Sequence, residues 1–502
     1  MQTSRPVVWS IAASDSGGGA GIQADLNTIH SHECHGCTLI TAITAQNSVA
    51  VEKIHPLRQV DLEAQWQALE KDLLPNAIKI GLIPEPSTLR WLAKHLAELK
   101  KRQAVFCVWD PVLKASTGAR FLDAFDRGEI NPLLKTIDLI TPNLAEASLL
   151  TQIEIQSFQD IERAAQQLLQ RGAKAVLIKG GHSFLDDKDH QLCQDYFLSA
   201  EQSFWLQNPK QSQPNNHGTG CTLASAIAAN IALGNPLATA LIYANAFIQQ
   251  SLRLAAPQGT GAGPVWQTQP QNSGQDFPVL CQQPEVNQLQ FLSAPNLGLY
   301  AIVDSLQWAK DCIASGIDTL QWRVKNPNKE QLLELPELIQ YCHQQKVPLY
   351  INDHWQLAIE HNAYGIHLGQ EDLDDNLLLT EGLPRIAAKG MRLGLSCHNE
   401  SEIARARYFN PSYLAFGPVF LAKSKQVDHP CLGTNQLQAW YQRYKHLHPM
   451  TCIGGIATDN LTEVLSTGID SVAVISAVQD EAARQRFTQQ FRTEISAKSD
   501  HS

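Results

Sequence analysis

The stretch Thr319-Leu320-Gln321-Trp322-Arg323-Val324-Lys325 reads as a short strand that ends in charge. Strand side chains alternate, so Gln321, Arg323 and Lys325 share one face. Two further apolar runs end in the same way: PLYIND (348–353) in Asn352-Asp353, and YGIHLGQED (364–372) in Asp372. An amide, two cations and two acids delivered by successive strand ends suit a metal-bridged polyphosphate. Arg grips phosphate oxygens in a fork, Lys acts as a point charge, and carboxylates hold Mg²⁺. The plainer alternative is a set of solvated strand ends.

Outward from these runs, a strand-then-helix rhythm fills the second half. Candidate strands are GLYAIVD, TLQWRV, PLYIND, YGIHLG, RLGLSC, SYLAFGPV, TCIGGI and SVAVISA. Helical-period segments such as SLQWAKDCIASG and ATDNLTEVLSTG lie between them, each closed by a glycine suited to a C-cap. About eight such units in roughly 200 residues predict a (β/α)₈ TIM barrel, whose active site belongs at the C-terminal strand ends. The named polar groups stand at those ends.

The first half alternates less evenly. VVWSIAAS, GCTLITAITAQN, AIKIGLI, AVFCVWDPV, DLITPN and AVLIKGG read as strands; QVDLEAQWQALEKDLL and DIERAAQQLLQRG read as helices. An open, mostly parallel α/β sheet with helices on both faces is expected. A Gln-, Asn- and Pro-rich stretch at 267–290 reads as a linker between domains at 1–266 and 291–502.

A chain of 502 residues exceeds one core. Its net charge of −10 argues against a general nucleic-acid or anionic-membrane binder, so any phosphate site must be built locally. No apolar run approaches the ~20 residues that span a bilayer. The amino end runs straight into a strand and a glycine loop, without the regions of a signal peptide. The 11 scattered cysteines suit reduced thiols in the cytoplasm. His30, His32, Cys34, His35 and Cys37 include a C-x-x-C spacing, but no second ligand pair matches it. Buried thiols at a helix-to-strand passage are expected there.

No Walker P-loop occurs. Instead, His217-Gly218-Thr219-Gly220-Cys221-Thr222 leads into a small-residue helix, where glycine N–H groups and the helix dipole favour an oxyanion. SDSGGGAGIQAD (14–25), Gln46-Asn47, TPNLAEA (141–147) and KGGH (179–182) accompany it. Together these closely resemble the hydroxymethylpyrimidine/phosphomethylpyrimidine kinase family, of ribokinase-like fold, over about residues 5–266. The resemblance implies that Gln46 hydrogen-bonds the aminopyrimidine, and that Gly21 and Asp25 shape its pocket. Asn143 and Glu146 would position Mg²⁺ near ATP, and Lys179 would lie by the nucleotide phosphates. Gly218 and Gly220 would stabilise the transferring phosphoryl group, and Asp110 could contribute to the phosphate region. Each acid could instead be a helix cap or surface charge. Cys221 stands where many ribokinase-like enzymes carry an Asp base; a helix N-terminus lowers a thiol pKa, so Cys221 could take the proton.

The second half is similar to thiamine phosphate synthase over about residues 297–480. LGLYAIVDSLQW, QWRVK, YINDHWQLA, GIHLGQEDL, LGLSCH, the segment 417–425, IGGI and VISA carry the likeness. It implies joining of a pyrimidine diphosphate to a thiazole phosphate, with pyrophosphate departing first. Asp353 and Asp372 would hold Mg²⁺ beside Arg323, Lys325, Asn352 and Lys425. Gln321 would contact the pyrimidine, Trp322 and Val324 would belong to the same binding run, and Ser396 would bond the diphosphate. Ser424, Gly455, Ile475 and Ser476 would hold the thiazole phosphate. One departure concerns Leu421-Ala422-Lys423-Ser424-Lys425, where the family usually reads Pro-Thr-x-Thr-Lys. One hydrogen bond lost at Ala422 would weaken phosphate binding by about 1.5–3 kcal/mol if nothing replaces it, and Lys423 could compensate.

The expectation is a bifunctional enzyme of thiamine biosynthesis that uses ATP and Mg²⁺ on small-molecule substrates. Assembly into a homo-oligomer is left open. A pyridoxal kinase in the first half, or a barrel that only senses thiamine phosphates, are the competing readings.

Overall fold

The computed structural model describes residues 4–112, 127–181, 191–294, 297–421 and 430–499. Two compact units result, one of Met1–Asn272 with Asp276–Glu285, the other of Ser273–Gln275 with Val286–Ser502.

The first unit is built on ten strands: β1 (Val7–Asp15), β2 (His35–Gln46), β3 (Val51–Pro56), β4 (Ala77–Ile80), β5 (Phe106–Trp109), β6 (Leu139–Ile140), β7 (Ala175–Ile178), β8 (Leu192–Ser199), β9 (Ser203–Pro209) and β10 (Val279–Cys281). Their order across the sheet is β10-β9-β8-β7-β6-β5-β4-β1-β2-β3. The central strands β2, β1, β4, β5, β6 and β7 are parallel, while β3 and β8–β10 run antiparallel at the edges. Burial on both faces suits the largely apolar sequence of β1. Successive residues of β1 reach opposite layers: Trp9 meets Trp66 of helix Gln59–Asp72, whereas Ser10 bonds Asp25 of helix Gly21–Ser31. Helices therefore cover both faces, as expected. The stretch expected as a linker contributes β10, which pairs with β9.

Parallel strands bring their C-terminal ends to one edge of the sheet. Asp15 closes β1 there, Asp110 follows β5, Asn143 follows β6 and Lys179 follows β7. Ligands of open α/β sheets bind at that edge.

The second unit is a closed barrel of eight parallel strands: β11 (Leu299–Val303), β12 (Thr319–Trp322), β13 (Leu349–Asn352), β14 (Gly365–Leu368), β15 (Arg392–Cys397), β16 (Tyr413–Phe416), β17 (Met450–Ile453) and β18 (Val472–Val474). β11 pairs with both β12 and β18, which removes any open edge. Tyr300, Tyr350 and Tyr413 crowd its interior. Two strand glycines make room for them. A Cβ on Gly365 would lie 2.6 Å from the Tyr350 ring, and one on Gly394 would lie 2.2 Å from the Tyr413 ring.

Candidate active sites in the two units

In the first unit the residues after β1 form a tight loop around one carboxylate. Asp15 accepts hydrogen bonds from the backbone N–H groups of Gly17 (2.8 Å), Gly19 (3.1 Å) and Ala20 (2.8 Å). Burial opposes the Asp15 charge, but His217 and the loop N–H groups outweigh it and hold the carboxyl below its ordinary range. The second glycine loop packs directly onto the first. Gly218 has φ +84°, and a Cβ there would lie 2.0 Å from the Gly19 carbonyl oxygen. No other residue type fits that approach. Helix Thr219–Ala232 starts at this point, so its first N–H groups open into a cavity of about 490 Å³. Gly21, Gln46, Asn143, Glu146, Lys179 and Cys221 are among the lining residues.

Opposite the helix start, Lys179 Nζ donates to Asp110 Oδ1 at 2.6 Å. A Cβ on Gly220 would lie 3.0 Å from Asp110 Oδ2 and 3.2 Å from Lys179 Nζ. Burial opposes the charge on Lys179; Asp110 and then Glu146 outweigh it and raise the ammonium above its ordinary value. Asn143 and Glu146 form a reciprocal capping box, each side chain accepting from the other's backbone N–H at 2.9 and 2.8 Å. The helix-cap alternative is thus realised for Glu146, on the cavity wall.

At the barrel mouth, β12 ends at Trp322 and sends Arg323 and Lys325 beyond it. Asp353 follows β13 with φ +62°, a left-handed conformation that Asp tolerates better than most residues. Asp372 Oδ2 accepts from the Gly369 N–H at 2.7 Å. Burial lifts Asp353 above its ordinary value, against the opposing pull of Arg323, His354 and Lys325. Burial, with Asp353 and Glu371 as like-charged neighbours, pushes Asp372 up to about 6. Two carboxylates that resist ionising together fit a hard divalent cation. Mg²⁺ is commonly held by one or two carboxylates plus phosphate oxygens.

Inside the barrel lies a hydrogen-bonded chain that no sequence motif announced. Gln321 Nε2 donates to Tyr300 Oη at 3.2 Å, and Tyr300 and Tyr413 share a hydroxyl–hydroxyl bond of 2.8 Å. Tyr413 Oη lies 2.8 Å from His367 Nδ1, and His367 Nε2 lies 2.9 Å from Ser396 Oγ. Burial, with Arg323 nearby, pushes His367 down to about 3, so its imidazole is neutral. Only register and strand order bring Tyr300, His367 and Tyr413 together, which is why single-strand reading missed them.

The phosphomethylpyrimidine kinase family profile matches residues 15–266, and the thiamine monophosphate synthase profile matches residues 299–478. A chloroplastic thiamine biosynthetic bifunctional enzyme of Arabidopsis thaliana is 30% identical over 95% of this chain and 90% of its own length. The chain belongs to the bifunctional thiamine biosynthetic enzymes. A thiamine-phosphate synthase of Yersinia pseudotuberculosis is 41% identical over 39% of this chain and 88% of its own. A solved Staphylococcus aureus pyridoxal kinase, in complex with ADP, aligns with a TM-score of 0.47 at 27% identity, covering 53% of this chain and 95% of that one.

For a bifunctional thiamine biosynthetic enzyme, some expected residues sit elsewhere than anticipated. Asp25 is fully buried rather than on the cavity wall: it bonds Lys79 Nζ (2.7 and 2.8 Å), Ser10 Oγ (2.6 Å) and Ser225 Oγ (2.8 Å). Lys79 lines the cavity in its place. The expected lowering of the Cys221 pKa is overturned, because burial pushes the thiol up to about 11 in spite of nearby Lys79. Trp322 is 1% exposed and packs near the His354 ring, and Val324 uses its carbonyl to accept from His354 Nε2 at 2.7 Å. By strand alternation neither shares the face of Gln321 and Arg323. Asn352 is buried at the end of β13. Gly455 has φ +63° after β17, and Ile475 and Ser476 are exposed just beyond β18. Ser424 and Lys425, with Ala422 and Lys423, lie outside the described residues. In the C-x-x-C region, Cys34 and Cys37 are buried, and His32 Nδ1 lies 2.8 Å from the Thr28 carbonyl oxygen.

Proposed function

We propose that the first unit phosphorylates 4-amino-5-hydroxymethyl-2-methylpyrimidine and then its monophosphate. The second unit joins the diphosphate to 4-methyl-5-(2-phosphooxyethyl)thiazole, releasing pyrophosphate and thiamine phosphate. Gln46 and Gly21 line the pyrimidine side of the first cavity, and Lys179 and the Gly218–Gly220 backbone take the ATP phosphates. Lys179 is kept charged by Asp110 for that purpose. Cys221 rests as a neutral thiol, so it takes the substrate hydroxyl proton only as its own S–H proton passes to an oxygen of the transferring phosphoryl group, a relay that the loose transition state tolerates because it asks little of a base.

In the barrel, Arg323 and Lys325 neutralise the departing diphosphate, Gln321 and Ser396 hold the two ends of the substrate, and Asp353 and Asp372 are the cation ligands. Mg²⁺ bound there supplies charge compensation for the leaving group. ATP as phosphoryl donor and Mg²⁺ in both units follow from the same reading, as does placement in the cytoplasm, where the chain's unpaired thiols stay reduced. The observation that carries the synthase half is the placement of Asp353 and Asp372 beside Arg323 and Lys325 at one set of barrel strand ends.

Purified chain given hydroxymethylpyrimidine, ATP, Mg²⁺ and thiazole phosphate should yield thiamine phosphate. Cys221→Ala should depress the phosphorylation steps by about 10²-fold, the low end for a general base. Asp353→Asn should stop pyrophosphate release from supplied diphosphate. Wild-type protein that makes no thiamine phosphate from these substrates would refute the reading.

A further inference from the structure

We infer that Tyr300, Tyr413 and His367 are positioning residues that tie the amide orientation of Gln321 to the hydroxyl direction of Ser396 through one directed hydrogen-bond chain. The inference rests on the synthase reading and deepens it. All the central members are buried: Gln321 is 4% exposed, Tyr300 1%, Tyr413 0% and His367 7%. Water therefore has little access with which to reset any single link.

Only two arrangements keep all four bonds while giving every buried phenol proton an acceptor within the chain. Each phenol has one proton to give, and a neutral imidazole has one donor and one acceptor. If Gln321 Nε2 donates to Tyr300, then Tyr300 donates to Tyr413, Tyr413 donates to His367 Nδ1, and His367 Nε2–H donates to Ser396. The Ser396 proton is then free to point outward. In the reverse arrangement Ser396 spends its proton on His367 Nε2, every link inverts, and Gln321 must turn its Oε1 to Tyr300.

A diphosphate oxygen only accepts hydrogen bonds. A phosphate beside Ser396 therefore demands the first arrangement, which is the one the Gln321 amide already adopts. That arrangement leaves Gln321 presenting Oε1 and its second N–H together. An aminopyrimidine edge offers the complement, a ring nitrogen acceptor beside an exocyclic amine donor. The phosphate end thus selects the amide orientation that reads the pyrimidine end, and a substrate lacking either end loses the benefit of both.

A double-mutant cycle on the full chain tests this, with supplied pyrimidine diphosphate and thiazole phosphate and pyrophosphate release as readout. Gln321→Ala and Ser396→Ala should be non-multiplicative: the double variant should keep at least 3-fold more kcat/KM than the product of the single losses predicts. Repeating the cycle with Tyr413→Phe should remove that excess, because the chain is cut. Multiplicative losses in the unmodified chain, or an excess that survives Tyr413→Phe, overturn the inference. Tyr300→Phe cuts the same chain at another link should Tyr413→Phe fail to fold.

An independent readout needs no cut. The ¹⁵N shifts of His367, identified by their loss in His367→Asn, should report the Nε2–H tautomer with Mg²⁺ and inorganic pyrophosphate present. The Nδ1–H tautomer overturns the inference. Failure of the wild-type chain to release pyrophosphate defeats the synthase reading itself, whereas release with multiplicative losses defeats the coupling alone.

Discussion

Asp372 and Cys221 show how burial sets the resting state of a functional group. Asp372 is pushed up to about 6 from an ordinary 3.8, so the folded chain holds its proton more tightly than the unfolded chain does. The stability from that protonated form is present below about pH 4 and is lost as pH rises through about 6. Asp372→Asn should therefore raise the metal-free barrel's Tm at pH 7, by roughly 2–4 °C for each ~1 kcal/mol recovered, while abolishing synthase activity. Calorimetry with and without Mg²⁺ checks it, and an unchanged or lower Tm would show that the acid carries no such penalty. Cys221, with its thiol pushed up to about 11, should resist iodoacetamide at pH 7.5 while exposed Cys431 reacts. Peptide mapping after timed alkylation reads this directly; rapid labelling of Cys221 at that pH would restore the lowered pKa expected from its helix position. The expectation failed because a helix N-terminus can be recognised from Gly218-Thr219-Gly220, whereas desolvation depends on what packs around the thiol.

Elements are joined at the kinase site by one buried ionic knot. Asp25 on helix Gly21–Ser31 bonds Lys79 on β4, Ser10 on β1 and Ser225 on helix Thr219–Ala232. Burial opposes the charge on Lys79, and the Asp25 carboxylate overcomes it. Asp25→Ala would take from that ammonium its contacting counter-ion, leaving only the weaker pull of Asp110, and should destabilise the first unit by about 3–5 kcal/mol. Urea unfolding followed by the tryptophans Trp9, Trp66 and Trp91 would register the loss, and a change under 1 kcal/mol would show that the pair is dispensable. The SDSGGGAGIQAD run was legible as a glycine loop entering a helix. It did not disclose which way Asp25 points, since the partner lysine and Ser225 come from distant segments.

Across the whole molecule, each unit carries its own chemistry. The Gly218 backbone shapes the first cavity alone, and a Cβ at that position collides with Gly19. Gly218→Ala should reduce pyrimidine phosphorylation by 10²-fold or more, while pyrophosphate release from supplied diphosphate stays within about twofold of the unmodified chain. Parallel assays of the two steps decide it; equal loss in both would mean that the units do not act separately. Local pattern was enough to identify eight barrel strands and the central parallel strands, because alternation and apolar runs are properties of neighbouring residues. Charged groups at strand ends followed for the same reason, as Arg323, Lys325, Asp353 and Asp372 each stand next to a readable strand. Packing alone established the antiparallel edge strands, the burial of Asp25 and Trp322, the raised Cys221 thiol and the Gln321–Tyr300–Tyr413–His367–Ser396 chain. Those features depend on distances between segments far apart in the chain, and desolvation and hydrogen-bond partnership arise only when such segments meet.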